Sequence, residues 1–435
     1  MGLTNAGGDS ERIEAILRGQ ARRSRSSPFC VTNIRLSKHY KIGDVIDVSV
    51  EKIVPRGLGL AFAEKLTVLV PLAAPGDALR VRIREIKKRL AFAEIVAVKQ
   101  PGPKRVAAPC PYFGTCGGCD FQQMSYDAQL QAKVGIVRDC LHRIAKIEFE
   151  HEIPIIPSPN EFEYRSRARW HLDREKKSIG YFRRDSHEVV DIQACPILTP
   201  GLQSALEYSR ENMNWDGLWS AHAQMEAASG DECRVSIYSA DMAEATSELS
   251  YTLHGDTYVF SARTFFQANK FLIGELIEAA VGGAGGDTAF DLFCGVGLFT
   301  IPMARRFEKI VAVEENPAAI DFAQKNLDKI RAANVRLVNK SVAAFLSENQ
   351  KKRLDFILID PPRSGTEKQT IPTIAALKPA EISYVSCEPS ILARDLRILV
   401  DAGYEIKKIT AFDLFPQTHH VETVVRLSKA EAVSR

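Results

Sequence analysis

The sequence lacks the long apolar runs that membrane spans require. No stretch of about eighteen apolar residues occurs in its 435 residues, and the first residues contain no apolar core of a signal peptide. The net charge is only +3, so any attraction to a polyanion must come from local patches. Nine cysteines without a secretory signal indicate reduced thiols, metal ligands or catalytic groups. We therefore expect a cytoplasmic protein with no membrane partner.

The pattern of residues divides the chain into four segments. Residues 1–37 carry arginines among small polar residues and are predicted to form a mobile basic tail. Residues 38–98 contain four or five short alternating strands with Gly and Pro turns, which is typical of a small OB-type β-barrel. Residues 99–265 are predicted to form a central α+β domain, with a helical stretch at about 123–146 that packs on the C-terminal domain. Residues 266–435 alternate strands and helices, the signature of a doubly wound α/β sheet.

Two predicted strands carry an arginine at every second position. They contain Arg80, Arg82 and Arg84 in the barrel segment, and Arg165, Arg167 and Arg169 near Trp170, Tyr181 and Phe182 in the central segment. Alternation would place each arginine set on one face of its strand. Guanidinium groups there could pair with phosphates of RNA, and aromatic rings could stack on its bases. A solvated strand face produces the same pattern, so both interpretations stay open.

Three cysteines lie within ten residues, and glycines separate them. Glycines let several sulfurs converge on one centre with the backbone close behind. The three are Cys110, Cys116 and Cys119; Cys195 is the best candidate for a fourth ligand, while Cys140 sits in a helical pattern. Four thiolates suit zinc or an iron–sulfur cluster. A triplet with a distant single cysteine favours a 4Fe–4S cluster, because four-cysteine zinc sites usually have two close pairs.

Three predicted strand ends in the last segment suggest a nucleoside-containing cofactor. A glycine turn from Asp291 to Gly297 follows the first strand and leads into a helix. Glu314 ends the next strand, at the distance expected for a carboxylate that binds ribose hydroxyls. A third strand ends in Asp360-Pro-Pro. This order is typical of S-adenosylmethionine-dependent methyltransferases, whereas a nicotinamide enzyme more often has a third glycine where Thr300 stands.

A cysteine and a glutamate complete the predicted chemistry. Cys387 is expected at the carboxyl end of a strand, just before a helix N-terminus whose local field favours the thiolate. Glu422 begins the last strand, next to His419 and His420, which are predicted to be loop histidines. Addition of a thiolate to the sixth carbon of uracil makes the fifth carbon nucleophilic. A base must later remove the proton from that carbon, and Cys387 with Glu422 would supply both groups.

Six motifs together resemble the RNA 5-methyluridine methyltransferase family. They are SCEPSILARD, FPQTHHVE, DLFCGVGLF, FFQAN, the DPPR strand end and CPYFGTCGGC, preceded by a barrel segment similar to the TRAM domain. The resemblance covers almost everything after Lys38 and is nearest to the iron–sulfur members that methylate 23S ribosomal RNA. It implies Cys387 as nucleophile and Glu422 as base. It also implies S-adenosylmethionine contacts at Gln267, Phe293, Glu314 and Asp360, and 4Fe–4S ligands at Cys110, Cys116, Cys119 and Cys195.

Three positions depart from the family pattern: Glu388 follows the nucleophile, Leu298 lies in the glycine turn, and Ser341 stands near the expected adenine site, each where Asn is frequent. The chain is expected to act on RNA as a monomer. Transfer RNA stays open as the substrate in place of ribosomal RNA. Amino-group methylation of adenine would leave Cys387 and Glu422 without a role. The alternative from another class is a non-catalytic RNA-binding or ribosome-assembly factor.

Overall fold

The computed structural model describes residues 40–241, 246–349 and 354–430. The chain forms two compact units. We call Met1–Ala108 with Asp120–Glu150 the barrel unit, and Pro109–Cys119 with His151–Arg435 the sheet unit. The predicted basic tail, residues 1–37, lies outside the described residues. None of the helices in the described ranges is long and apolar enough to cross a membrane.

The barrel unit contains a closed barrel of five strands, as the sequence predicts. Its strands are β1 (Val45–Val54), β2 (Leu58–Ala63), β3 (Leu66–Val70), β4 (Ala78–Lys87) and β5 (Leu90–Gln100). They follow one another around the barrel in the order β1-β2-β3-β5-β4. Alternate residues of β1 and β4, such as Val81 and Ile83, are buried, so that apolar side chains fill the interior.

A buried carboxylate organises one end of the barrel. Asp77 is fully buried and accepts hydrogen bonds from the backbone amides of Ala74 at 2.7 Å and Gly102 at 2.9 Å. Arg105 donates to the same carboxylate through Nη2 at 2.7 Å. The negative charge is therefore compensated, as burial requires.

Helix α1 (Tyr126–Cys140) belongs to the barrel unit. The Nζ of Lys52 on β1 lies 2.5 Å from Asp139 Oδ2 near the end of the helix. Within the unit the helix therefore packs against β1. The sequence predicts that this stretch packs on the C-terminal domain, and that packing stays a prediction, as do the predicted domain boundaries.

The sheet unit alternates strands and helices over most of its length. In chain order its strands are β6 (Ile155–Ile156), β7 (Arg167–Asp173), β8 (Ser178–Phe182), β9 (Val189–Asp191), β10 (His222–Ser229), β11 (Val235–Tyr238), β12 (Leu249–Leu253), β13 (Asp256–Phe260), β14 (Gly286–Leu292), β15 (Phe307–Glu314), β16 (Val335–Asn339), β17 (Phe356–Ile359), β18 (Glu381–Ser386), β19 (Tyr404–Phe412) and β20 (Glu422–Lys429). Its helices are α2 (Pro200–Asn212), α3 (Ile273–Val281), α4 (Thr300–Ala304), α5 (Pro317–Lys329), α6 (Val342–Glu348), α7 (Thr370–Leu377) and α8 (Pro389–Asp401).

Eight of these strands form the sheet that carries the candidate site. Their order is β16-β15-β14-β17-β18-β20-β19-β6. Strands β14 to β18 are parallel, β20 runs antiparallel to both β18 and β19, and β6 extends the far edge parallel to β19. The strand order reverses between β14 and β17, and ligands of doubly wound sheets bind outside the carboxyl ends of strands at such a point.

A second sheet, in the order β11-β10-β7-β8-β9, holds the central part of the chain. Helix α2 covers one of its faces, where Leu202 and Leu206 form a core with Trp170 and Leu172. Even-numbered residues of β7 point into this core, as the period of two in a strand requires.

Helix α8 shows why the sequence folds locally as it does. Pro389 opens the helix with a preset backbone angle and needs no amide partner there. Leu392, Leu396 and Leu399, at spacings of four and three, are buried along one face. The strand–turn–helix predicted around Cys387 is therefore confirmed.

Candidate active site

Cys387 and Glu422 lie at the same edge of the eight-stranded sheet. Cys387 directly follows β18, and Glu422 is the first residue of β20. These strands are antiparallel, and their last residue pair is Ser386 opposite Thr423. Cys387 and Glu422 are the next residues beyond this pair, and the charge of Glu422 acts on the Cys387 thiol.

The surroundings of Cys387 raise the pKa of its thiol. Burial is the main reason that the pKa of Cys387 rises to about 12, and the charge of Glu422 adds to it. Arg363 acts in the opposite direction, while Asp360 and Glu388 raise the pKa further. The direction of this shift is opposite to the prediction that the local field favours the thiolate. Loss of water and three carboxylates outweigh one guanidinium and a helix N-terminus.

Glu422, which is buried, and Asp360, which is half-buried, form an interacting acidic pair. Glu422 is only 4% exposed; burial and then the charge of Asp360 raise its pKa well above the usual range, against the effect of Arg363. Burial and the charge of Asp291 raise the pKa of Asp360 to about 8. Interacting carboxyl groups with raised pKa values can hold and exchange a proton near neutral pH.

The glycine turn after β14 adopts a conformation that few residues tolerate. Phe293 has a φ of 65°, and Gly295 and Gly297 have φ angles of 55° and 91°. A left-handed phenylalanine costs free energy and is most often retained near functional sites. The turn also orients Glu314, whose Oε2 accepts from the Gly295 amide at 3.0 Å and whose Oε1 accepts from the Asn316 amide at 2.8 Å.

Two buried side-chain oxygens near this turn have no partner in the described structure. Asp291 is fully buried; its Oδ2 accepts from the Thr300 hydroxyl at 2.5 Å, while its Oδ1 is unpaired. Burial raises the pKa of Asp291 to about 7, against the Thr300 hydrogen bond and together with the charge of Glu314. Gln267 is 3% exposed, and its Oε1 is also unpaired. Buried polar atoms without partners are rare, and these two are able to contact a bound ligand.

The three residues that depart from the family pattern each have a structural role. Glu388 caps helix α8 by accepting from Ser390 N at 3.3 Å and Ser390 Oγ at 2.7 Å. Ser341 caps helix α6 through the Ala344 amide at 3.3 Å. Leu298 is buried in the apolar core beneath the glycine turn. Glu388 also raises the pKa of the neighbouring Cys387 thiol.

The four candidate cluster cysteines share one neighbourhood in the sheet unit. Burial, and then the charge of Cys110, raise the pKa of Cys116; burial is also the main cause that raises the pKa of Cys195 to about 11. Cys119 and Cys195 both act electrostatically on Tyr164. Within the described ranges, however, no three His, Cys, Asp or Glu side chains are grouped closely enough to hold a metal ion. The sulfurs are near one another without forming a closed ligand shell.

The barrel arginines lie on one exposed strand face, as alternation predicts, but they are paired. Arg80 donates to Asp47 at 2.9 Å, and Lys99 contacts the same carboxylate at 2.8 Å. Arg82 and Arg84 both pair with Glu94. Each arginine is about half exposed, so its partner weakens but does not block a contact with a phosphate.

The central arginines are not on one open face, and this part of the RNA-surface prediction is wrong. Arg167 turns its guanidinium to the carbonyls of Ala262 at 3.1 Å and Thr264 at 2.5 Å. Arg165 precedes β7 and donates to the Arg167 carbonyl at 3.0 Å. Trp170 is fully buried, whereas Arg169 is 61% exposed beside Glu226. The carbonyls that accept hydrogen bonds from Arg167 lie nearly a hundred residues later in the chain, so no local sequence pattern reveals this contact.

Sequence reasoning missed one residue of the site. Arg363 follows Asp360-Pro-Pro, and its charge acts to lower the pKa of both Cys387 and Glu422. It lies inside a motif used for another residue, so a basic residue beside a predicted contact was the available signal. His419 and His420 lie in a loop, as predicted, with ring centroids 4.2 Å apart.

Comparison with known proteins matches both units. The family model for tRNA (Uracil-5-)-methyltransferase matches residues 245–430, and the TRAM domain model matches residues 40–96. An uncharacterized RNA methyltransferase of Nitratidesulfovibrio vulgaris is 31% identical over 89% of this chain and 97% of its own. The 23S rRNA (uracil(1939)-C(5))-methyltransferase RlmD of Pectobacterium atrosepticum is 30% identical over 87% of this chain and 92% of its own.

A solved structure agrees with these sequence matches. It is the tRNA (uracil-54, C5)-methyltransferase of Pyrococcus abyssi in complex with S-adenosyl-L-homocysteine. It shares 25% identity and a TM-score of 0.67, and covers 87% of this chain and 100% of its own. These matches therefore do not support an adenine-modifying enzyme or a non-catalytic protein. The chain belongs to the RNA uracil-5-methyltransferase family, and it is an S-adenosylmethionine-dependent enzyme with an N-terminal TRAM domain.

Proposed function

We propose that the enzyme methylates the fifth carbon of a uridine in 23S ribosomal RNA, with Cys387 as covalent nucleophile and Glu422 as the base that releases the product. The observation that supports this proposal is the end of the β18–β20 pairing, beyond which Cys387 and Glu422 follow directly and interact electrostatically at the ligand-binding edge of the sheet. A thiol and a buried carboxylate in these positions suit addition and elimination at adjacent carbons of one ring.

The protons move through the acidic pair. As the Cys387 sulfur bonds to the sixth carbon of uracil, the thiol proton passes to a carboxylate, with Asp360 able to hold it because its pKa is about 8. S-adenosylmethionine, when bound, supplies the methyl group to the fifth carbon. Glu422 then removes the proton from that carbon. The carbon–sulfur bond breaks, the thiolate recovers one proton, and the cycle releases one proton in total.

The cofactor contacts expected from the resemblance fit this edge of the sheet. Glu314 is already oriented by two amides and keeps lone pairs for ribose hydroxyls. Gln267 offers an unpaired buried oxygen, and Phe293 is held in a strained turn. S-adenosylmethionine carries a sulfonium and an ammonium charge. An edge that includes Asp291, Glu314 and Asp360 therefore favours it electrostatically.

Ribosomal RNA is the favoured substrate because of the similarity to RlmD over nearly the whole chain. Transfer RNA is the second candidate, because the similar Pyrococcus abyssi enzyme acts on it. Purified enzyme with labelled S-adenosylmethionine should methylate transcripts of 23S ribosomal RNA. It should leave transfer RNA from a strain lacking 5-methyluridine unlabelled. Methyl label in transfer RNA, with none in 23S ribosomal RNA, would show that transfer RNA is the substrate instead.

The RNA-facing surface of the sheet unit is smaller than the sequence suggests. Odd-numbered residues of β7 point away from the α2-covered core. Arg169 is exposed there, and His171 stacks on Phe182 with ring centroids 3.6 Å apart. A cation beside stacked rings suits unpaired nucleotides. Replacing Phe182 by Ala should weaken RNA binding more than Tyr208→Ala, which removes an exposed ring on helix α2.

A 4Fe–4S cluster is part of the proposal, with Cys110, Cys116, Cys119 and Cys195 as its ligands. Four neighbouring thiols are the donor set that such clusters use. Arg165 and Arg184 lower the pKa of Cys116, so that cations lie near the sulfurs. Anaerobically purified enzyme should be brown and contain about four irons per chain, and Cys116→Ala should lose the colour. Stoichiometric zinc without iron or sulfide would contradict this assignment.

Two cysteine variants, one at the proposed nucleophile and one control, test the nucleophile assignment. Cys387→Ala should bind RNA and S-adenosylmethionine but form no covalent RNA adduct and transfer no methyl group. Cys233→Ala removes an exposed thiol of the same unit and should retain full activity. Methyl transfer by Cys387→Ala at the wild-type rate would contradict the covalent mechanism.

A further inference from the structure

Two buried polar residues that the mechanism does not use, Tyr384 and Asp395, flank the turn that carries Cys387. Tyr384 on β18 lies three residues before Cys387 and is fully buried. Asp395 on α8 lies eight residues after it and is 1% exposed. The Tyr384 hydroxyl donates to Asp395 Oδ2 at 2.7 Å. This hydrogen bond joins the strand and the helix across the nucleophile turn.

The other oxygen of this carboxylate binds Arg394, whose guanidinium lies beside the loop after β17. Arg394 donates from Nε to Asp395 Oδ1 at 2.8 Å. A Cβ added at Gly365 would lie 3.4 Å from Arg394 Nη2 and 2.8 Å from Ile391 Cγ2, so this loop rests directly on helix α8. Gly365 has a φ of 80°, and its amide donates to the Pro362 carbonyl at 2.7 Å. The tight turn therefore anchors the loop that contains Asp360 and Arg363.

The local hydrogen bonds of the nucleophile turn do not connect it to the Arg363 loop. Ser386 Oγ accepts from the Glu388 amide at 3.2 Å, and Glu388 caps helix α8, but both bonds stay within the nucleophile turn. Asp395 accepts from Tyr384 of the strand and from Arg394, and the Arg394 guanidinium lies beside Gly365, two residues after Arg363. Its two oxygens therefore hold side chains next to both the nucleophile turn and the Arg363 loop.

Resting on the proposed function, we propose that Asp395 is a positioning residue for the addition step: it fixes Cys387 relative to Arg363 and to the acidic pair, and so sets how fast the thiol adds to uracil. The groups that face Cys387 are Glu422, Arg363, Asp360 and Glu388. Of these, Arg363 stabilises the thiolate. Loosening its loop leaves the carboxylates uncompensated, which raises the pKa of Cys387 and slows addition.

The test uses Asp395→Asn and Tyr384→Phe, which keep side-chain volume and remove one interaction each. Asp401→Asn is the matched control, because it removes an exposed Arg–Asp pair from the same helix. Single-turnover mixing with RNA should show adduct formation slowed at least tenfold in both variants and unchanged in the control. Dissociation constants for RNA and S-adenosylmethionine should stay within twofold of wild type.

A second measurement needs no RNA. The rate of Cys387 alkylation by iodoacetamide, followed by peptide mass spectrometry against pH, should shift to higher pH in Asp395→Asn and Tyr384→Phe. A purely structural role would lower the melting temperature without moving this profile. Arg394→Lys keeps the charge but lacks the guanidinium fork, and should show an intermediate shift.

Wild-type adduct rates and alkylation profiles in Tyr384→Phe and Asp395→Asn would overturn the positioning role. If Asp395→Asn does not fold, Tyr384→Phe and Arg394→Lys decide it. A wild-type enzyme that forms no adduct contradicts the proposed mechanism instead, and the alkylation profile then still decides whether Asp395 positions Cys387.

Discussion

Asp291 should make the folded enzyme less stable as the pH rises, and Asp291→Asn should remove this effect. The carboxyl group is fully buried, and its pKa is raised to about 7. An unfolded aspartate titrates near 4, so the folded state binds one more proton between about pH 4 and 7. Stability from this group is complete below pH 4 and is lost as the pH rises through that window.

The size of the effect follows from the two pKa values. About three pKa units at about 1.4 kcal/mol each give an upper value of roughly 4 kcal/mol at pH 8. Asparagine can accept the Thr300 hydroxyl, and its amide group replaces an oxygen that has no partner. At about 2 °C per kcal/mol, the variant should melt roughly 5–10 °C above wild type at pH 8, with little difference at pH 4.5.

The assay is thermal unfolding of dialysed enzyme from pH 4.5 to 8. Asp287→Asn, on the same strand but exposed, is the control and should follow the wild-type curve. S-adenosylmethionine affinity is measured in parallel by calorimetry, because the unpaired oxygen lies at the expected cofactor edge. A difference in melting temperature between Asp291→Asn and wild type that stays the same at every pH would refute the reasoning.

Three further outcomes are expected. Glu388→Gln should speed Cys387 alkylation at pH 8, since it removes a like charge, and an unchanged or slower rate would contradict the electrostatic account. Asp77→Asn should lower the unfolding free energy of the barrel unit by about 3–5 kcal/mol in urea titration, because it removes the buried charge that pairs with the partly buried Arg105. A loss below about 1 kcal/mol would contradict this expectation. Asp47→Ala should strengthen RNA binding and steepen its salt dependence, because it releases Arg80 and Lys99, and weaker binding would exclude the barrel face from RNA contact.

Features set by local pattern could be predicted from the sequence. The closed barrel, the doubly wound sheet and the position of Cys387 between a strand and a helix follow from periodicity and from Gly and Pro placement. Glu422 was placed at a strand start, but its register against β18 needed the structure.

Features that depend on distant partners could not be predicted. Burial is the main cause that raises the pKa of Cys387, and the charges of Glu422 and Asp360, which come from two other strand ends, add to it. Arg167 alternates with its neighbours like a surface residue, yet carbonyls beyond residue 260 bind its side chain. The cysteine spacing predicts a set of four ligands, which stays a proposal, because the approach of Cys195 to the other three cysteines depends on the fold of the distant segment that carries it.

Glu422→Gln gives the most direct test of the central claim. The amide keeps the size of the side chain but cannot accept a proton, so addition and methyl transfer should occur once and then stall. After incubation with 23S ribosomal RNA and labelled S-adenosylmethionine, mass spectrometry should find Cys387 bonded to a methylated uracil. Normal turnover by this variant, or an adduct on any residue other than Cys387, would contradict the account.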